Sequence, residues 1–336
     1  WKGLFVMEAL SDSISLRNVC IRADASPEIG MGHVMRCLAL ADMLKSTFRI
    51  SFYCKEIPPG LRKQIESKGF SVEQVANEKA FVDSLEAKHI AVLDGYHFDL
   101  ELQREIKKKE VLLIRIDDMM SESFLADLVI NHAPGLLHSE FKVQPYTRLA
   151  LGEKYALLNS MFLEAARHQL TKKSIDNVLI CFGGSDPRNL TERVLKSIKY
   201  NSQVKRIRVV LGPGYAHHDT IGPEMQDERV SEHRELSSVE MLDLMKETDL
   251  AIVPSSGILY EVLAAGCLVA SGYYIDNQKA IYSGFLKNKA FYDLGDFSQM
   301  DVLKDLGLAE LQDLEAGLID GKSGERILHL VEEMSS

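Results

Sequence analysis

Residues 18–44 read NVCIRADASPEIGMGHVMRCLALADML and pass from a predicted strand through a glycine turn into a predicted helix. The β-branched run at 18–23 predicts the strand. The stretch 33–45 is predicted to be a helix with its apolar stripe facing a sheet, since apolar side chains recur at helical spacing, at Val34, Cys37, Leu38, Ala41 and Leu44. A strand, a turn and a helix in this order are typical of an α/β protein with a parallel sheet.

The same alternation continues along the rest of the chain. In the first half we predict strands at 18–23, 49–54, 90–93, 111–116 and 127–131. In the second half we predict strands at 177–182, 206–211, 249–253 and 267–271, and helices at 187–200, 237–247, 258–265 and 278–287. The pattern predicts two doubly wound Rossmann-type domains, 18–155 and 175–336, with a hinge at about 152–175. A ligand is expected in the cleft between the carboxyl ends of the two sheets.

Composition excludes several classes of protein. The chain has 336 residues, 46% of them hydrophobic and 26% charged, which is ordinary for a globular protein with two cores. A formal net charge of −10 disfavours nucleic acid and anionic membranes as partners. The five Cys residues form no C-x-x-C pair and are expected to be buried reduced thiols. No apolar stretch of membrane-spanning length and no secretory signal pattern occurs, so we expect a cytoplasmic protein, and the fold requires no oligomer, so we expect a monomer.

The glycine turn at 30–33 carries the first candidate for chemistry. Gly30 and Gly32 allow a tight turn and a close approach of the backbone to a ligand. His33 at the helix start is expected to stay neutral near pH 7 and to accept a proton from water, with Asp24 orienting it. A dinucleotide-binding turn is disfavoured because G-x-G-x-x-G requires glycine where this chain has Met35. A helix-capping role for His33 is the structural alternative, although His is not a favoured cap.

Three further turns follow predicted strands at their carboxyl ends. The turn 93–99 carries Asp94, Tyr96 and His97, and such a Tyr is able to hydrogen-bond a sugar. The turns 181–188 and 254–261 offer backbone amides for a diphosphate. The acid Glu261 either binds a ribose diol or complements the helix dipole. The residues of these two turns are Gly183, Gly184, Ser185, Ser255, Ser256 and Glu261. Metal sites at 117–118 and 217–219 are disfavoured against turns and loops, and neither a metal nor a cofactor is expected.

Taken together, these segments resemble a known family. The segments RADASPEIGMGHVMRCLALA, DGY, IDD, LGEKYALL, CFGGSDPRN, SSGILYE and DNQ, in order from about 18 to 295, are similar to the pseudaminic acid pathway hydrolases. That family removes UDP from UDP-2,4-diacetamido-2,4,6-trideoxy-β-L-altropyranose and is similar in fold to the GT-B glycosyltransferases. The resemblance therefore implies a GT-B-like fold and a UDP-sugar hydrolase that needs no metal.

The resemblance also implies roles for single residues. His33 is the implied base for a water that attacks the anomeric C1 with inversion. Tyr96 and Asn277 are implied sugar contacts, Glu261 is the implied ribose acid, and the turns at Gly183 and at 255–256 line the nucleotide half. The substrate-binding set that we predict is Arg22, Asp24, Gly32, Tyr96, Asn277 and Gln278, and the nucleotide-binding set is Gly183, Gly184, Ser185, Ser255, Ser256 and Glu261.

Two other functions remain open at the level of the sequence. A GT-B glycosyltransferase would pass the sugar of a UDP-amino sugar to an acceptor, and the turn at Gly32 and His33 serves both reactions. For a lipid acceptor it would need an apolar patch with basic residues on the first domain, which the sequence does not clearly show. A non-catalytic sugar-nucleotide-binding subunit would bind the nucleotide without releasing UDP and would not depend on His33.

Overall fold

A computed structural model of the chain describes residues 17–26, 28–119, 123–169, 172, 174–299, 306 and 309–336. Two all-parallel sheets dominate it. The strands of the first sheet are β1 (Asn18–Ala23), β2 (Arg49–Cys54), β3 (Ser71–Gln74), β4 (Ile90–Asp94), β5 (Leu112–Ile116), β6 (Leu128–Asn131) and β7 (Arg148–Leu151). Those of the second are β8 (Asn177–Cys181), β9 (Arg206–Leu211), β10 (Val230–Arg234), β11 (Leu250–Pro254), β12 (Leu268–Tyr273) and β13 (Tyr292–Asp296). The expectation that the chain shows no secretory signal pattern concerns segment 1–16, which lies outside the described residues.

Helices alternate with the strands along the chain. They are α1 (Gly32–Leu44), α2 (Pro59–Ser67), α3 (Glu78–Ser84), α4 (Leu100–Lys107), α5 (Ser160–Ala166), α6 (Leu190–Ile198), α7 (His218–Ile221), α8 (Ser238–Lys246), α9 (Gly257–Ala264), α10 (Lys279–Lys287) and α11 (Ser323–Ser335). The predicted apolar stripe of α1 is confirmed, because all five of its residues are buried. The two-domain α/β prediction is therefore correct.

The strands that the sequence analysis did not predict are β3, β7, β10 and β13. Each of them forms an edge of its sheet, since the strand orders are β3-β2-β1-β4-β5-β6-β7 and β10-β9-β8-β11-β12-β13. An edge strand is partly solvated and carries polar residues, as in β3 (SVEQ) and β10 (VSEHR). Such strands lack the short apolar run that predicts a buried strand.

The strand orders place the predicted turns at equivalent points of the two sheets. In the first sheet the order reverses between β1 and β4, and in the second between β8 and β11. Ligands of doubly wound sheets bind outside the carboxyl ends of the strands at this point. The turn at 30–33 follows β1, the turn at 95–97 follows β4, and the turns at 183–185 and 255–257 follow β8 and β11.

The last helix packs on the first domain rather than on the second. Ile327 and Val331 of α11 are fully buried in the apolar cluster that joins α1 to the first sheet. Arg148 of β7 pairs with Glu333 at 2.7 Å, and Thr47 donates to Glu332 at 2.9 Å. The predicted boundaries 18–155 and 175–336 remain a prediction, but the chain returns to its first half at α11.

Among the residues that the structure describes, no helix combines the length and the apolar character required to cross a bilayer. The five cysteines are all buried and none is paired in a disulfide, as predicted.

Candidate active site

A cleft of about 520 Å³ lies between the two sheets and is lined from both halves of the chain. Most of the predicted site residues line it: Gly32, His33, Tyr96, Gly183, Gly184, Ser185, Ser255, Ser256, Glu261, Asn277 and Gln278. The sequence therefore placed these residues in one cavity although they span 247 positions of the chain, from 32 to 278.

His33 lies at the start of α1 with one ring nitrogen committed to a carboxylate. Its Nδ1 is 2.7 Å from Oδ1 of Asp94, which ends β4 and is fully buried. Because an ionised carboxylate only accepts, the contact requires a proton on Nδ1, and in the neutral ring Nε2 then carries the lone pair; Arg36 Nη2 also lies 3.2 Å from Nδ1. The arrangement is the Asp–His pair that fixes the tautomer of a base and stabilises the imidazolium once a proton has been taken.

Arg36, one turn after His33, holds Asp94 in its ionised form. Its Nε and Nη2 donate to the two carboxylate oxygens of Asp94, both at 2.5 Å. Burial alone would raise the pKa of Asp94, but the Arg36 guanidinium outweighs burial and, with His33, lowers this pKa well below its ordinary value. Arg36 Nη1 also donates to Asp118 at 2.8 Å. The sequence pattern predicts no role for Arg36 and indicates Asp118 only as one half of a disfavoured metal pair.

Tyr96 extends this network across the cleft. Its ring lies edge-on to His33 with a centroid distance of 4.7 Å, and its hydroxyl donates to Asp118 at 3.1 Å. From the second domain, the Asn277 side-chain amide donates to the Tyr96 hydroxyl at 3.4 Å. Tyr96 is 51% exposed, so its ring is also available to a ligand.

The prediction that Asp24 orients His33 is wrong. Asp24 accepts instead from Arg22 at 2.7 Å and from the backbone N–H groups of Lys55 and Glu56. The alternation of side chains in β1 explains the difference: Ile21 and Ala23 face the cluster beneath α1, whereas Cys20 faces the opposite cluster. Asp24 continues the phase of Cys20 and therefore lies on the side of the sheet away from α1.

Arg22 is likewise not a substrate contact, and this prediction is corrected. It is fully buried, pairs with Asp24 and Glu78, and lies over the ring of Phe98. Asp24 lines a smaller adjoining cavity of about 290 Å³, together with His33, Tyr96 and His97. Arg22 therefore fixes the position of Asp24 from the buried side of this cavity.

The glycine turn after β8 lies in the cleft, but the helix after it does not offer a free amino terminus. Gly183, Gly184 and Ser185 are exposed, and α6 begins only at Leu190. The carboxylate of Asp186 accepts from the N–H groups of Leu190 and Thr191 at 2.9 and 2.8 Å. The predicted helix 187–200 thus starts later, with its first amides already satisfied.

The turn after β11 leaves the amino terminus of α9 open to the cleft. Ser256 precedes the helix and its side chain caps no N–H group, while Gly257 leaves space in which an added Cβ would meet nothing within 4 Å. The Ser255 hydroxyl is buried against that of Ser271 at 3.0 Å. The N–H of Leu259 donates to the backbone oxygen of Ser256 at 2.9 Å, and since the first N–H groups of a helix have no acceptor within the helix, the amino terminus of α9 is able to accept an anion at this wall.

Glu261 lies one turn into α9 and lines the same wall. Burial raises the pKa of its carboxyl to about 7. Glu261 is half-buried, and its side chain makes no hydrogen bond or ion pair with any described residue. Its environment suits a carboxylate that accepts hydrogen bonds from a bound polyol. The neighbouring Gln278 is buried and its Oε1 accepts from the N–H of Tyr274 at 3.0 Å, so it shapes the loop that carries Asn277.

His132 is a lining residue that the sequence analysis did not identify. It follows β6 directly, so the rule that ligands lie at the carboxyl ends of parallel strands was the signal available. Within the described residues no group of three or more His, Cys, Asp or Glu side chains is arranged to hold a metal ion.

Comparison with known proteins gives distant relatives along most of the chain. No family model matches the sequence. An uncharacterized protein of Methanocaldococcus jannaschii is 29% identical over 287 residues, 80% of this chain and 58% of that protein, so the chain spans little more than half of this relative. The spore coat polysaccharide biosynthesis protein SpsG of Bacillus subtilis is 28% identical, over 83% of this chain and 84% of that protein. The UDP-2,4-diacetamido-2,4,6-trideoxy-β-L-altropyranose hydrolase of Campylobacter jejuni is 22% identical, over 78% and 93%.

Solved structures agree in fold. MurG of Acinetobacter baumannii has a TM-score of 0.63 at 15% identity, covering 95% of this chain and 100% of that chain. UGT89C1 of Arabidopsis thaliana has a TM-score of 0.64 at 11% identity, covering 95% and 99%. With its two parallel-sheet α/β domains and the cleft between them, the chain has the GT-B fold of these glycosyltransferases.

Proposed function

We propose that this protein hydrolyses a UDP-linked diacetamido sugar, UDP-2,4-diacetamido-2,4,6-trideoxy-β-L-altropyranose or a close relative, to the free sugar and UDP. The observation that carries the proposal is the His33–Asp94 pair at one wall of a cleft whose other wall holds the amino terminus of α9 and the carboxyl of Glu261. The name of the Campylobacter relative supports this substrate, and that of the Bacillus relative supports a role in saccharide biosynthesis.

In this reaction His33 is the general base. Its Nε2 takes a proton from water as the water oxygen attacks C1 from the face opposite the leaving group, which inverts the configuration. The bond between C1 and the β-phosphate oxygen breaks with its electron pair remaining on UDP. Asp94 stabilises the imidazolium that forms, and Tyr96 confines the water and the sugar beside it.

The nucleotide half is proposed to bind mainly through backbone groups. Arg36 is the one Lys or Arg of the described residues that lines the cleft, and its guanidinium is already paired with Asp94 and Asp118. The diphosphate is therefore assigned to the N–H groups at the start of α9 and at 183–185, and the ribose diol to Glu261. The proposed division of labour gives the base to domain 18–155 and the nucleotide to domain 175–336, with the hinge at about 152–175.

The test is phosphorus NMR of the protein with the UDP-sugar in EDTA and without an acceptor. We expect free UDP from the unaltered protein. His33→Asn should lower turnover by about 10²–10⁴-fold while UDP affinity stays within about threefold, because only the general base is removed. Turnover of His33→Asn close to that of the unaltered protein would exclude His33 as the base, and absence of UDP binding would exclude the sugar-nucleotide function altogether.

A glycosyltransferase is the second candidate, and one observation favours it. Ile29, Met31 and Met35 are 41, 42 and 37% exposed on the first domain, and Ile29 and Met35 line the cleft beside His33. Exposed apolar side chains at the mouth of a site suit an acceptor with an apolar part. UDP released only after a polyprenyl-linked sugar acceptor is added would assign the transferase; UDP released at the same rate without it assigns the hydrolase.

A further inference from the structure

His132 lies where the two domains meet at the floor of the cleft. The hydroxyl of Tyr260, from α9, donates to the backbone oxygen of His132 at 2.8 Å, and the two rings are 4.7 Å apart. Pro134, two residues after His132, also contacts the second domain: an added Cβ at Gly284 of α10 would lie 2.1 Å from its backbone oxygen. The loop at 132–135 is therefore held tightly against the second domain, and the imidazole of His132 has a fixed position.

The protonation of this imidazole is also fixed. The N–H of Leu157 donates to Nδ1 of His132 at 3.4 Å, so Nδ1 is an acceptor and the ring proton is on Nε2. Among the described residues the only hydrogen bond of the ring is the one at Nδ1, so Nε2 has no hydrogen-bond partner there, and the side chain lines the cleft. Burial, with the positive charge of Arg36 nearby, lowers the pKa of His132 to about 4. Near neutral pH the ring is thus an uncharged donor without an acceptor.

We propose that His132 donates its Nε2–H to the β-phosphate of the bound sugar nucleotide and stabilises the leaving UDP. This inference rests on the proposed function. Tyr260, against which the ring packs, belongs to the first turn of α9, and the amino terminus of that helix is the assigned diphosphate site. When the C1–O bond breaks, negative charge grows on the β-phosphate oxygen, and a preorganised donor stabilises it without transferring a proton.

The cleft then holds two histidines with opposite roles. Nε2 of His33 accepts a proton from water, because Nδ1 carries the ring proton and donates a hydrogen bond to Asp94. Nε2 of His132 donates, because a backbone N–H occupies its Nδ1. Both side chains are the same imidazole. In each ring the hydrogen bond at Nδ1 determines which nitrogen carries the proton, and therefore whether Nε2 accepts or donates.

The test compares His132→Asn with His132→Gln. The Asn amide oxygen replaces Nδ1 as the acceptor for Leu157 but supplies no donor at Nε2, whereas the Gln amide reaches the position of Nε2. For His132→Asn we expect kcat about 10²-fold lower and UDP affinity about tenfold weaker, with UMP affinity unchanged, since UMP lacks the β-phosphate. His132→Gln should keep most of the kcat and most of the UDP affinity of the unaltered protein. The dependence of kcat on pH should keep its shape in both variants.

Three results would overturn the proposal. The first is kcat and UDP affinity of His132→Asn within twofold of the unaltered protein. The second is an equal loss of UMP and UDP affinity, which would place the contact elsewhere on the nucleotide. The third is an equal loss in both variants with lower melting temperatures, which would indicate a purely structural role. If the unaltered protein binds no UDP, the proposed function fails as well, so the two failures are distinguished by measuring that protein first.

Discussion

Asp94 occupies a position in which a carboxylate is stable only while its partners remain. It is fully buried between His33 and Arg36, and both of its oxygens accept charged or imidazole N–H groups. A buried ion pair contributes little net stability, but removing one partner leaves the other charge uncompensated. The residue therefore links the stability of the first domain to the orientation of the base.

Asp94→Asn tests this link. Under conditions where the variant is folded, kcat should fall by about 10²–10⁴-fold with little change in KM, because His33 loses its tautomer and the charge that stabilises its imidazolium. The free energy of unfolding should fall by about 3–5 kcal/mol, because Arg36 is left without its main counter-charge. Turnover and urea denaturation measure the two effects.

Asp118→Asn is the matched control, since Asp118 also pairs with Arg36 but does not contact His33. Its kcat should change by about fivefold or less, because its side chain is partly exposed. Equal losses in the two variants would show that the charge of the cluster, and not the contact with His33, determines the rate.

Glu261 makes both stability and binding depend on pH. Burial raises its pKa from 4.5 to about 7, so the ligand-free folded state holds a proton that the unfolded state has lost between these values. Stability from this group is present below pH 4.5 and is lost as the pH rises through 7. Glu261→Gln should therefore be more stable than the unaltered protein by roughly 1–3 kcal/mol at pH 8, with the difference vanishing near pH 4.5.

Nucleotide binding should show the opposite trend. A ribose diol donates to the ionised carboxyl, so UDP affinity should rise as the pH rises through 7, and Glu261→Gln should lose on the order of tenfold affinity at pH 8. Chemical denaturation and calorimetric titration at two pH values measure these changes. A variant that binds UDP as tightly as the unaltered protein at pH 8 would remove Glu261 from the ribose site.

At the scale of elements, α10 approaches the loop at 132–135 more closely than a side chain permits. Gly284→Ala would place Cβ 2.1 Å from a backbone oxygen, so the helix and the loop must separate. We expect a loss of about 1–3 kcal/mol in the free energy of unfolding, together with lower turnover, because the loop carries His132.

Gly60→Ala in α2 provides the contrast for this prediction. Its added Cβ would meet nothing within 4 Å, and the residue is exposed within a helix. The substitution should raise the free energy of unfolding by about 0.4–1 kcal/mol, because alanine lowers the conformational entropy of the unfolded chain. If the two alanine variants unfold at the same urea concentration, the close contact at Gly284 does not constrain the two domains.

At the scale of the whole molecule, the chain crosses from its second half back to its first. Ile327 of α11 is fully buried against the core of the first sheet. Ile327→Ala should lower the free energy of unfolding by about 2–5 kcal/mol. Hydrogen exchange should quicken in β1–β7 more than in β8–β13, since the cavity opens in the first core.

His329→Ala, on an exposed position of the same helix, is the control and should change stability by no more than about 0.5 kcal/mol. Faster exchange confined to the second sheet in Ile327→Ala would contradict the assignment of α11 to the first domain.

Much of the fold was predictable from local pattern. The central strands carry continuous apolar runs because both of their faces are covered, and such runs are visible in the sequence, as in NVLIC of β8. The edge strands were missed because their solvated positions carry polar residues. The sequence predicted His33, Tyr96 and Glu261 as site residues because they lie in or just after the turns that follow strands, and all three line the cleft.

The sequence by itself determined the order of the central strands, the turn that carries His33 and most of the predicted residues that meet in the cleft. Only the tertiary structure decided that Asp94 and not Asp24 orients His33, since β1 and β4 pair in a register that places Ala23 beside Asp94. The tertiary structure alone decided that Arg36 keeps Asp94 ionised and that Nε2 of His132 has no hydrogen-bond partner among the described residues. It also decided that α11 packs on the first domain. Local pattern follows from the backbone period, whereas these contacts join residues far apart in the chain, and they exist only once the sheets have paired and packed.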